Sequence, residues 1–231
     1  MYNCTVSYVD RARFFQEVMF VLLCGCGAGF SVQRHHIKKL PAVRRPDGND
    51  WVTHVVADSI EGWSDAIGVL MSSYFVDKQP FPEVTGKSVQ FDYSQIRPEG
   101  APISHGGKAP GPKGLSKSIE KIRTLLDKAT EHGQCALRPI EAYDIIMHIS
   151  DSVLSGGIRR SATICLFSPD DEEMIKAKTG DWYVRNPQRG RSNNSVVLLR
   201  GETSREYFHK IMESVKDSGE PGFVFTEDTE I

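Results

Sequence analysis

The sequence predicts an α/β fold in which most strands are parallel. Short apolar or alternating segments, such as residues 87–93 and 162–167, are separated by longer segments with apolar residues at helical spacing. Strands that alternate with helices are usually joined by crossovers, which leave neighbouring strands parallel. With 231 residues, the chain can form one large domain or two small ones, and 39% hydrophobic residues suffice for a sizeable core.

Bulk composition excludes several classes of protein. A net charge of -2 argues against a protein that coats nucleic acid or binds a membrane surface. The apolar run at residues 14–24 is too short to span a bilayer, and no signal-peptide cleavage context follows it. We therefore expect a cytoplasmic protein with neither nucleic-acid nor membrane partners. The spacing of Cys24-Gly25-Cys26 does not suit zinc, so no metal site is expected.

The first forty residues combine a strand, a helix and a glycine-rich segment. Residues 3–9 are predicted to form a strand, and Asp10 can cap a following helix at residues 11–23. The glycines of residues 24–31 come after that helix, the reverse of the order in a Rossmann or P-loop motif, so a dinucleotide site is excluded. Residues 31–39 form a basic loop, which by itself reads as a solvated loop.

The middle of the chain alternates helices and strands. A polar linker at 41–51 precedes a strand at 53–57, and Asp58-Ser59 then caps a helix. One face of that helix carries a buried stripe: Trp63, Ile67, Leu70, Met71 and Tyr74. An alternating strand at 87–93 leads into a Gly/Pro-rich loop at 104–112, and two further helices begin near Ser116 and Pro139.

The last third contains the most informative segment. It begins with the motif Ser155-Gly156-Gly157-Ile158-Arg159-Arg160-Ser161. The two glycines allow the backbone to approach a ligand closely, and the two arginines are suited to binding phosphate or carboxylate. A strand at 162–167, an acidic helix at 168–175 and an irregular polar loop at 178–191 follow. Residues 192–197, a helix capped by Thr203-Ser204, and a strand after residues 219–222 complete the pattern.

Gly157-Ile158-Arg159-Arg160-Ser161-Ala162, followed by Ser192-Asn193-Asn194-Ser195-Val196, resembles the catalytic subunit of ribonucleotide reductases. The resemblance is strongest to the adenosylcobalamin-dependent (class II) ribonucleoside triphosphate reductases. Phe91-Asp92-Tyr93-Ser94-Gln95-Ile96-Arg97-Pro98 and Gly219-Glu220-Pro221-Gly222 also resemble segments of that family. The resemblance implies that residues 1–231 form one partial catalytic domain, the N-terminal half of a ten-stranded α/β barrel.

The resemblance also implies roles for individual residues. Cys4, which would otherwise be interpreted as a small buried hydrophobe, becomes one half of the dithiol that reduces the substrate, with Asn3 and Gly27 beside the substrate. Asp10 is implied to contact the ribose of an allosteric effector, a role compatible with helix capping. Further effector contacts are implied at these residues, each of which could instead be a solvated loop residue: Arg34, Lys178, Gln188, Arg189 and Arg191.

The implied activity is thiyl-radical reduction of ribonucleoside triphosphates to 2'-deoxyribonucleotides for DNA synthesis. It involves adenosylcobalamin, a Mg-bound deoxynucleoside triphosphate effector and a thioredoxin-type reductant. The sequence lacks the family's Asn-Pro-Cys-x-Glu motif, so we expect the isolated chain to be inactive without a complementary C-terminal reductase fragment. The alternatives are a non-catalytic deoxynucleotide-binding module and a fragment of a class I diphosphate reductase. Triphosphate or diphosphate preference and oligomeric state stay open, and Cys24 and Cys26 are either packing residues or a redox-sensitive pair.

Overall fold

A computed structural model describes residues 3–102, 107–154 and 162–228. The strands of the described chain are β1 Cys4–Tyr8, β2 Gly27–Ser31, β3 Asp47–Val55, β4 Lys87–Asp92, β5 Thr163–Phe167, β6 Ser192–Leu199 and β7 Gly222–Thr226. The helices are α1 Phe14–Leu23, α2 Arg34–Ile37, α3 Ile60–Tyr74, α4 Lys113–Ala129, α5 Pro139–Leu154, α6 Glu172–Ile175, α7 Trp182–Arg185 and α8 Arg205–Ser218. Two 3₁₀ helices span Pro82–Val84 and Pro187–Arg191.

Five strands form one parallel sheet in the order β1-β2-β5-β6-β7. Cys4 lies opposite Gly27, Ala28 opposite Thr163, and Thr163 opposite Ser192, so these strands begin at one common edge. We call this the N-terminal edge and the opposite side the C-terminal edge. The prediction of an α/β fold with mainly parallel strands is confirmed.

One face of the sheet holds the main core. Phe30 of β2 lies between Phe14 of α1 and Tyr143 of α5, with ring centroids 6.4 and 6.5 Å away. Phe30 and Tyr143 are fully buried. The helices α1 and α5 thus cover this face, and α3 and α4 pack against them.

The opposite face is open in the described residues. Val6, Gly29, Ile164 and Asn193 form one row across four strands. A Cβ at Gly29 would lie 2.9 Å from Val6 Cγ2 and 3.3 Å from Ile164 Cγ2, so both side chains extend over the glycine. Val6 is 67% exposed and Ile164 40% exposed. Parallel sheets are normally covered on both faces, so the described residues leave the part of the sheet around Val6 and Ile164 uncovered.

A second, two-stranded parallel sheet joins β3 to β4. Val89 of β4 packs with Val69 of α3 and Val84 in a small separate cluster. This sheet therefore rests on the outer side of α3.

Several local predictions are confirmed. Ser59 caps α3 by accepting a 3.0 Å hydrogen bond from the Gly62 backbone N–H, and Ser204 caps α8 in the same way from Tyr207 at 3.1 Å. Pro139 begins α5. The whole predicted stripe of α3 is buried, from Trp63 to Tyr74.

Other local predictions are wrong. Asp10 does not cap α1, since the helix begins at Phe14 and the Asp10 carboxylate pairs with Arg11 at 2.8 Å. The sequence did not predict the strand β2 at Gly27–Ser31, which lies in the interior of the sheet within the glycine-rich segment. The two loops at 31–39 and 178–191 each contain short helical segments. The Ser155–Ser161 motif lies outside the described residues.

Within the described residues, no helix is both long and apolar enough to cross a membrane.

Candidate functional site

The N-terminal edge brings together Asn3, Cys4 and Gly27. The Gly27 backbone N–H donates a 2.9 Å hydrogen bond to the Asn3 carbonyl, which anchors the start of β1 to β2. A Cβ at Gly27 would lie 3.1 Å from Cys4 Sγ, closer than most real contacts. The Cys4 thiol therefore occupies the space that the missing side chain of Gly27 leaves on the open face.

Cys4 is exposed, which excludes the interpretation as a small buried hydrophobe. Cys165, two strands away, is fully buried on the covered face, and burial raises the pKa of its thiol well above the ordinary value. A thiol must be accessible and able to deprotonate to take part in exchange or redox chemistry. Of these two cysteines, Cys4 meets the access requirement.

The segment at residues 178–191 begins and ends at the N-terminal edge and is held by buried ion pairs. Arg189 donates to both carboxylate oxygens of Asp144 on α5, at 2.8 and 2.7 Å, and to the Ala177 carbonyl at 2.8 Å. The side chains of Arg189 and Asp144 are only 13% and 11% exposed. Gln188 Nε2 donates to the same carboxylate at 3.2 Å, so Asp144 anchors the whole 3₁₀ helix.

Lys178 fixes the other end of this segment. Its buried ammonium contacts both carboxylate oxygens of Glu220, at 3.0 and 2.9 Å, and donates to the Ser192 carbonyl. Glu220 also accepts the Asn194 backbone N–H at 3.1 Å. The ammonium lies 5.6 Å from the ring centre of Trp182. These contacts join the starts of β6 and β7 to the segment before β6.

A second polar cluster joins Tyr143 of α5 to Ser192 and Asn194 at the start of β6. The Tyr143 hydroxyl lies 2.9 Å from Ser192 Oγ, and the Asn194 side-chain amide donates to the same hydroxyl at 3.2 Å. Burial raises the pKa of the Tyr143 hydroxyl, so it remains protonated and can act as a hydrogen-bond donor. These hydrogen bonds fix the start of β6 to α5.

Arg191 differs from its neighbours because it is 43% exposed. Its Nε donates to Asp151 of α5 at 2.8 Å, and the remainder of the guanidinium faces solvent. Arg191 directly precedes β6 and so lies at the N-terminal edge, as do Lys178, Gln188 and Arg189.

The C-terminal edge carries the other two effector candidates, Asp10 and Arg34. Arg34 pairs with Asp170 at 3.0 Å and is 45% exposed, while its backbone N–H donates to Ser168 Oγ at 2.9 Å. Asp10 lies at the end of β1 and pairs with Arg11. The six predicted effector residues thus divide between opposite edges of the sheet, separated by strands of at least five residues, or roughly 13–16 Å.

A buried histidine lines this second edge. His36 Nδ1 lies 2.9 Å from Ser31 Oγ, and its ring stacks on Tyr8 with centroids 4.2 Å apart. Burial, reinforced by the nearby charges of His35 and Lys39, lowers the pKa of His36 to about 4. His36 is therefore neutral at physiological pH and acts as a packing and hydrogen-bonding group.

No protein-family model matches the chain. A probable adenosylcobalamin-dependent ribonucleoside-triphosphate reductase of Dictyostelium discoideum is 34% identical over 181 residues, which cover 75% of this chain and 21% of that protein. The adenosylcobalamin-dependent ribonucleoside-triphosphate reductase of Lactobacillus acidophilus is 28% identical, with 94% and 33% covered. That of Lactobacillus leichmannii is also 28% identical, with 88% and 30% covered.

The fold is also similar to that of a solved structure. A crystal structure of a B12-dependent (class II) ribonucleotide reductase superposes with a TM-score of 0.81 at 23% identity, over 97% of this chain and 36% of that one. The chain is a homologue of the adenosylcobalamin-dependent ribonucleoside-triphosphate reductases. It spans between a fifth and a third of the length of the three relatives described above.

For this reductase homologue, the sequence identified the cations through the resemblance, but neither their division between the two edges nor their partners. Asp144, Glu220 and Asp170 lie 45, 42 and 136 residues from the cations that they bind. One signal was available for Asp144, because a carboxylate between Tyr143 and the apolar run of α5 suggests a buried charge that needs a partner. The described residues contain no group of three or more His, Cys, Asp or Glu side chains that could hold a metal ion.

Proposed function

We propose that this chain is part of the catalytic barrel of an adenosylcobalamin-dependent ribonucleoside-triphosphate reductase, in which Cys4 supplies one thiol of the reducing pair. The observation that carries the proposal is the exposed Cys4 thiol, which lies over Gly27 at the start of the parallel sheet. The chain that forms this sheet is similar in sequence to these reductases.

The chemistry requires this arrangement. Removing the 2'-hydroxyl of a ribose consumes two electrons, which a pair of thiols supplies when they join in a disulfide. The Cys4 thiol lies exposed over Gly27 on the open face, where a substrate can approach both the thiol and the backbone of residues 3 and 27. The second thiol of the pair and the group that starts the radical belong, in this proposal, to a complementary C-terminal reductase segment.

Adenosylcobalamin appears in the names of the relatives. When bound, this cofactor supplies the radical that initiates the reaction. We assign most of its contacts to the complementary segment and route no step through it in this chain.

We further propose that a deoxynucleoside triphosphate effector with Mg binds at the C-terminal edge, through Asp10 and Arg34. Arg34 is half-exposed, and its ion pair with Asp170 is exposed to solvent. Because an exposed ion pair contributes little free energy, Arg34 can exchange Asp170 for a triphosphate at small energetic cost. Lys178, Gln188 and Arg189 are fully engaged in buried contacts, and we assign them to holding the segment at 178–191 in place. Arg191 is the exposed cation through which that segment can meet a ligand.

Calorimetric titration of the chain with each of the four deoxynucleoside triphosphates and Mg tests the effector site. Replacing Arg34 with alanine should weaken binding about tenfold or more, since a charge-assisted contact to phosphate is lost. Arg45→Ala is a matched control, because Arg45 is also exposed and pairs with a carboxylate, Asp127, at 3.4 Å. Equal affinity of the Arg34→Ala and unaltered chains would contradict the site.

A thiol assay tests the substrate site. Ribonucleoside triphosphate should slow alkylation of Cys4 in a mixture of this chain and a complementary reductase segment, and should leave Cys135 unaffected. Deoxynucleotide reduction in that mixture should disappear in Cys4→Ser. Full activity of Cys4→Ser would refute the role of Cys4.

A further inference from the structure

The first row of residues across the sheet has a thiol at one end and a guanidinium at the other. Cys4 lies opposite Gly27, and the next residues along pair as Ala28 with Thr163 and Thr163 with Ser192. The residues just before those pairs therefore lie level with Cys4. In order across four strands, the row is Cys4, Gly27, Ala162 and Arg191.

This row belongs to the open face of the sheet. Residues two apart in a strand point to the same face, and the row lies two residues before the exposed row that contains Val6 and Ile164. Arg191 and Asn193 are exposed whereas Ser192 between them is buried, which follows the same alternation. The row is thus the N-terminal end of the open face.

The two residues between the ends of the row have the smallest side chains. Gly27 lies under the Cys4 thiol, and Ala162, the next residue of the row, is exposed. A shallow trough therefore runs from the thiol over Ala162 to Arg191, in which a ligand can approach the backbone closely. With strands about 4.8 Å apart, three steps separate the Cα atoms of Cys4 and Arg191 by roughly 14 Å.

Arg191 is held at its backbone and at one side of its guanidinium. The Thr163 hydroxyl donates to the Arg191 carbonyl at 2.8 Å, and Arg191 Nε donates to Asp151 at 2.8 Å. Asp151 belongs to α5 on the covered face, so the guanidinium lies across the N-terminal edge. Among the described side chains, only that of Asp151 accepts a hydrogen bond from Arg191. The terminal N–H groups of this half-exposed arginine can therefore meet a ligand at the edge.

The surroundings of Arg191 have an excess of positive charge. Lys121 of α4 lies 4.0 Å from the second carboxylate oxygen of Asp151, so one carboxylate faces two cations. Both cations contact solvent. The cluster consequently attracts an anion to this end of the trough.

We propose that Arg191 binds the terminal phosphate of a ribonucleoside triphosphate whose ribose lies at Cys4. The proposal rests on the proposed function, in which Cys4 reduces that substrate. The phosphate chain runs over Ala162, and its last phosphate meets the guanidinium, with Lys121 nearby. A guanidinium suits this contact because its planar fork donates to two phosphate oxygens at once. Arg191 is then a substrate contact and not an effector contact.

The length of the trough makes Arg191 a specificity-determining residue. A cation three strands away from the thiol is within reach of the last phosphate of the chain and too far from the first. A shorter phosphate chain leaves Arg191 paired with Asp151 alone. The geometry thus favours a triphosphate substrate over a diphosphate, a choice that the sequence left open.

The test uses the alkylation assay of Cys4 in the same mixture, with the mono-, di- and triphosphate of one ribonucleoside as probes. Trypsin releases Cys4 in a peptide that ends at Arg11, so its alkylation is measured separately from that of the other cysteines. In the unaltered chain, half-protection should require about tenfold less triphosphate than diphosphate. Arg191→Met should raise the triphosphate value about tenfold and change the diphosphate value by less than about twofold.

A matched control is Arg185→Met. Arg185 lies in the same segment, is 77% exposed and pairs with Asp181 at 3.7 Å, so the change removes an equal charge. It should leave all three values unchanged. Arg191→Lys should restore part of the triphosphate affinity, because it keeps the charge and loses the fork. Urea unfolding of each variant verifies that it is folded.

Unchanged protection by triphosphate in Arg191→Met would overturn the proposal. So would an equal loss of protection by diphosphate and triphosphate, because Arg191 would then not distinguish the last phosphate. Both outcomes leave the role of Cys4 intact. A lack of protection by any of the three nucleotides in the unaltered chain would instead overturn the proposed substrate site itself, and this inference with it.

Discussion

Replacing Arg189 with methionine should destabilise the fold by about 3–5 kcal/mol, the usual cost of leaving a buried charge without its partner. Arg189 makes two hydrogen bonds to Asp144, at 2.8 and 2.7 Å, and both side chains are nearly buried. After the change, the Asp144 carboxylate would keep the Gln188 amide at 3.2 Å as a donor. An exposed carboxylate would recover its hydration, but this one cannot.

Urea unfolding followed by circular dichroism measures this loss, which corresponds to a fall in Tm of roughly 6–20 °C for a chain of this size. A matched control is Arg191→Met. Arg191 also pairs with a carboxylate of α5, Asp151, at 2.8 Å, but it is 43% exposed. Because exposed pairs contribute little, this variant should lose less than about 1 kcal/mol.

A double-mutant cycle isolates the pair itself. Asp144→Leu alone should also be strongly destabilising, since it leaves the Arg189 guanidinium buried with one carbonyl partner. The double variant should be more stable than the sum of the single losses predicts, by about 2 kcal/mol or more. Additive losses, or a loss below about 1 kcal/mol for Arg189→Met, would refute the view that this pair holds the segment at 178–191.

Three further changes test other parts of the fold. Gly62→Ala places a Cβ 2.4 Å from the Ala57 carbonyl oxygen, so urea unfolding should show a loss of about 1–3 kcal/mol. Ser59→Ala removes the cap of α3 and should cost about 1 kcal/mol, most of which Ser59→Asp should restore. His36 has a pKa of about 4 when folded, against about 6.5 when unfolded, so the unfolded chain binds the extra proton. Stability should therefore fall by roughly 2–3 kcal/mol between pH 7 and pH 4. His36→Gln should reduce that loss.

Each of these measurements can fail in a definite way. An unchanged midpoint for Gly62→Ala would mean that the turn before α3 relaxes freely. Equal stability of Ser59→Ala and the unaltered chain would show that the Ser59 cap does not stabilise α3. A pH dependence identical in His36→Gln and the unaltered chain would show that other groups cause the acid sensitivity.

The sequence was informative where structure depends on local pattern. The apolar spacing in residues 60–74 predicted the buried face of α3, and Ser59 predicted its start, because both effects act within a few residues. The strand at 27–31 was missed, since glycine is uncommon in strands and usually marks a turn. Gly27 and Gly29 are required there by Cys4, Val6 and Ile164 of the neighbouring strands, which local pattern does not reveal.

The candidate site was predictable in its parts but not in its arrangement. Cys4, Asp10 and the cations were identified through resemblance to a family. Their division between two edges depends on strand order, because residues 178–191 precede β6 whereas Arg34 follows β2. The buried state of Lys178 and Arg189 depends on carboxylates more than forty residues away. The charge of residues 178–191 suggested binding but did not reveal that Lys178 and Arg189 form buried ion pairs.

The uncovered face of the five-stranded sheet has a consequence for any measurement of stability. Val6, Ile164 and Asn193 lie exposed in one row only when the strands are paired, so whatever covers them binds the folded chain and not the unfolded one. By mass action, the free energy of unfolding then rises with the logarithm of the concentration of that partner. The Tm of the chain alone is accordingly a lower bound. The rise in Tm on adding a complementary reductase segment would measure their affinity without any assay of catalysis.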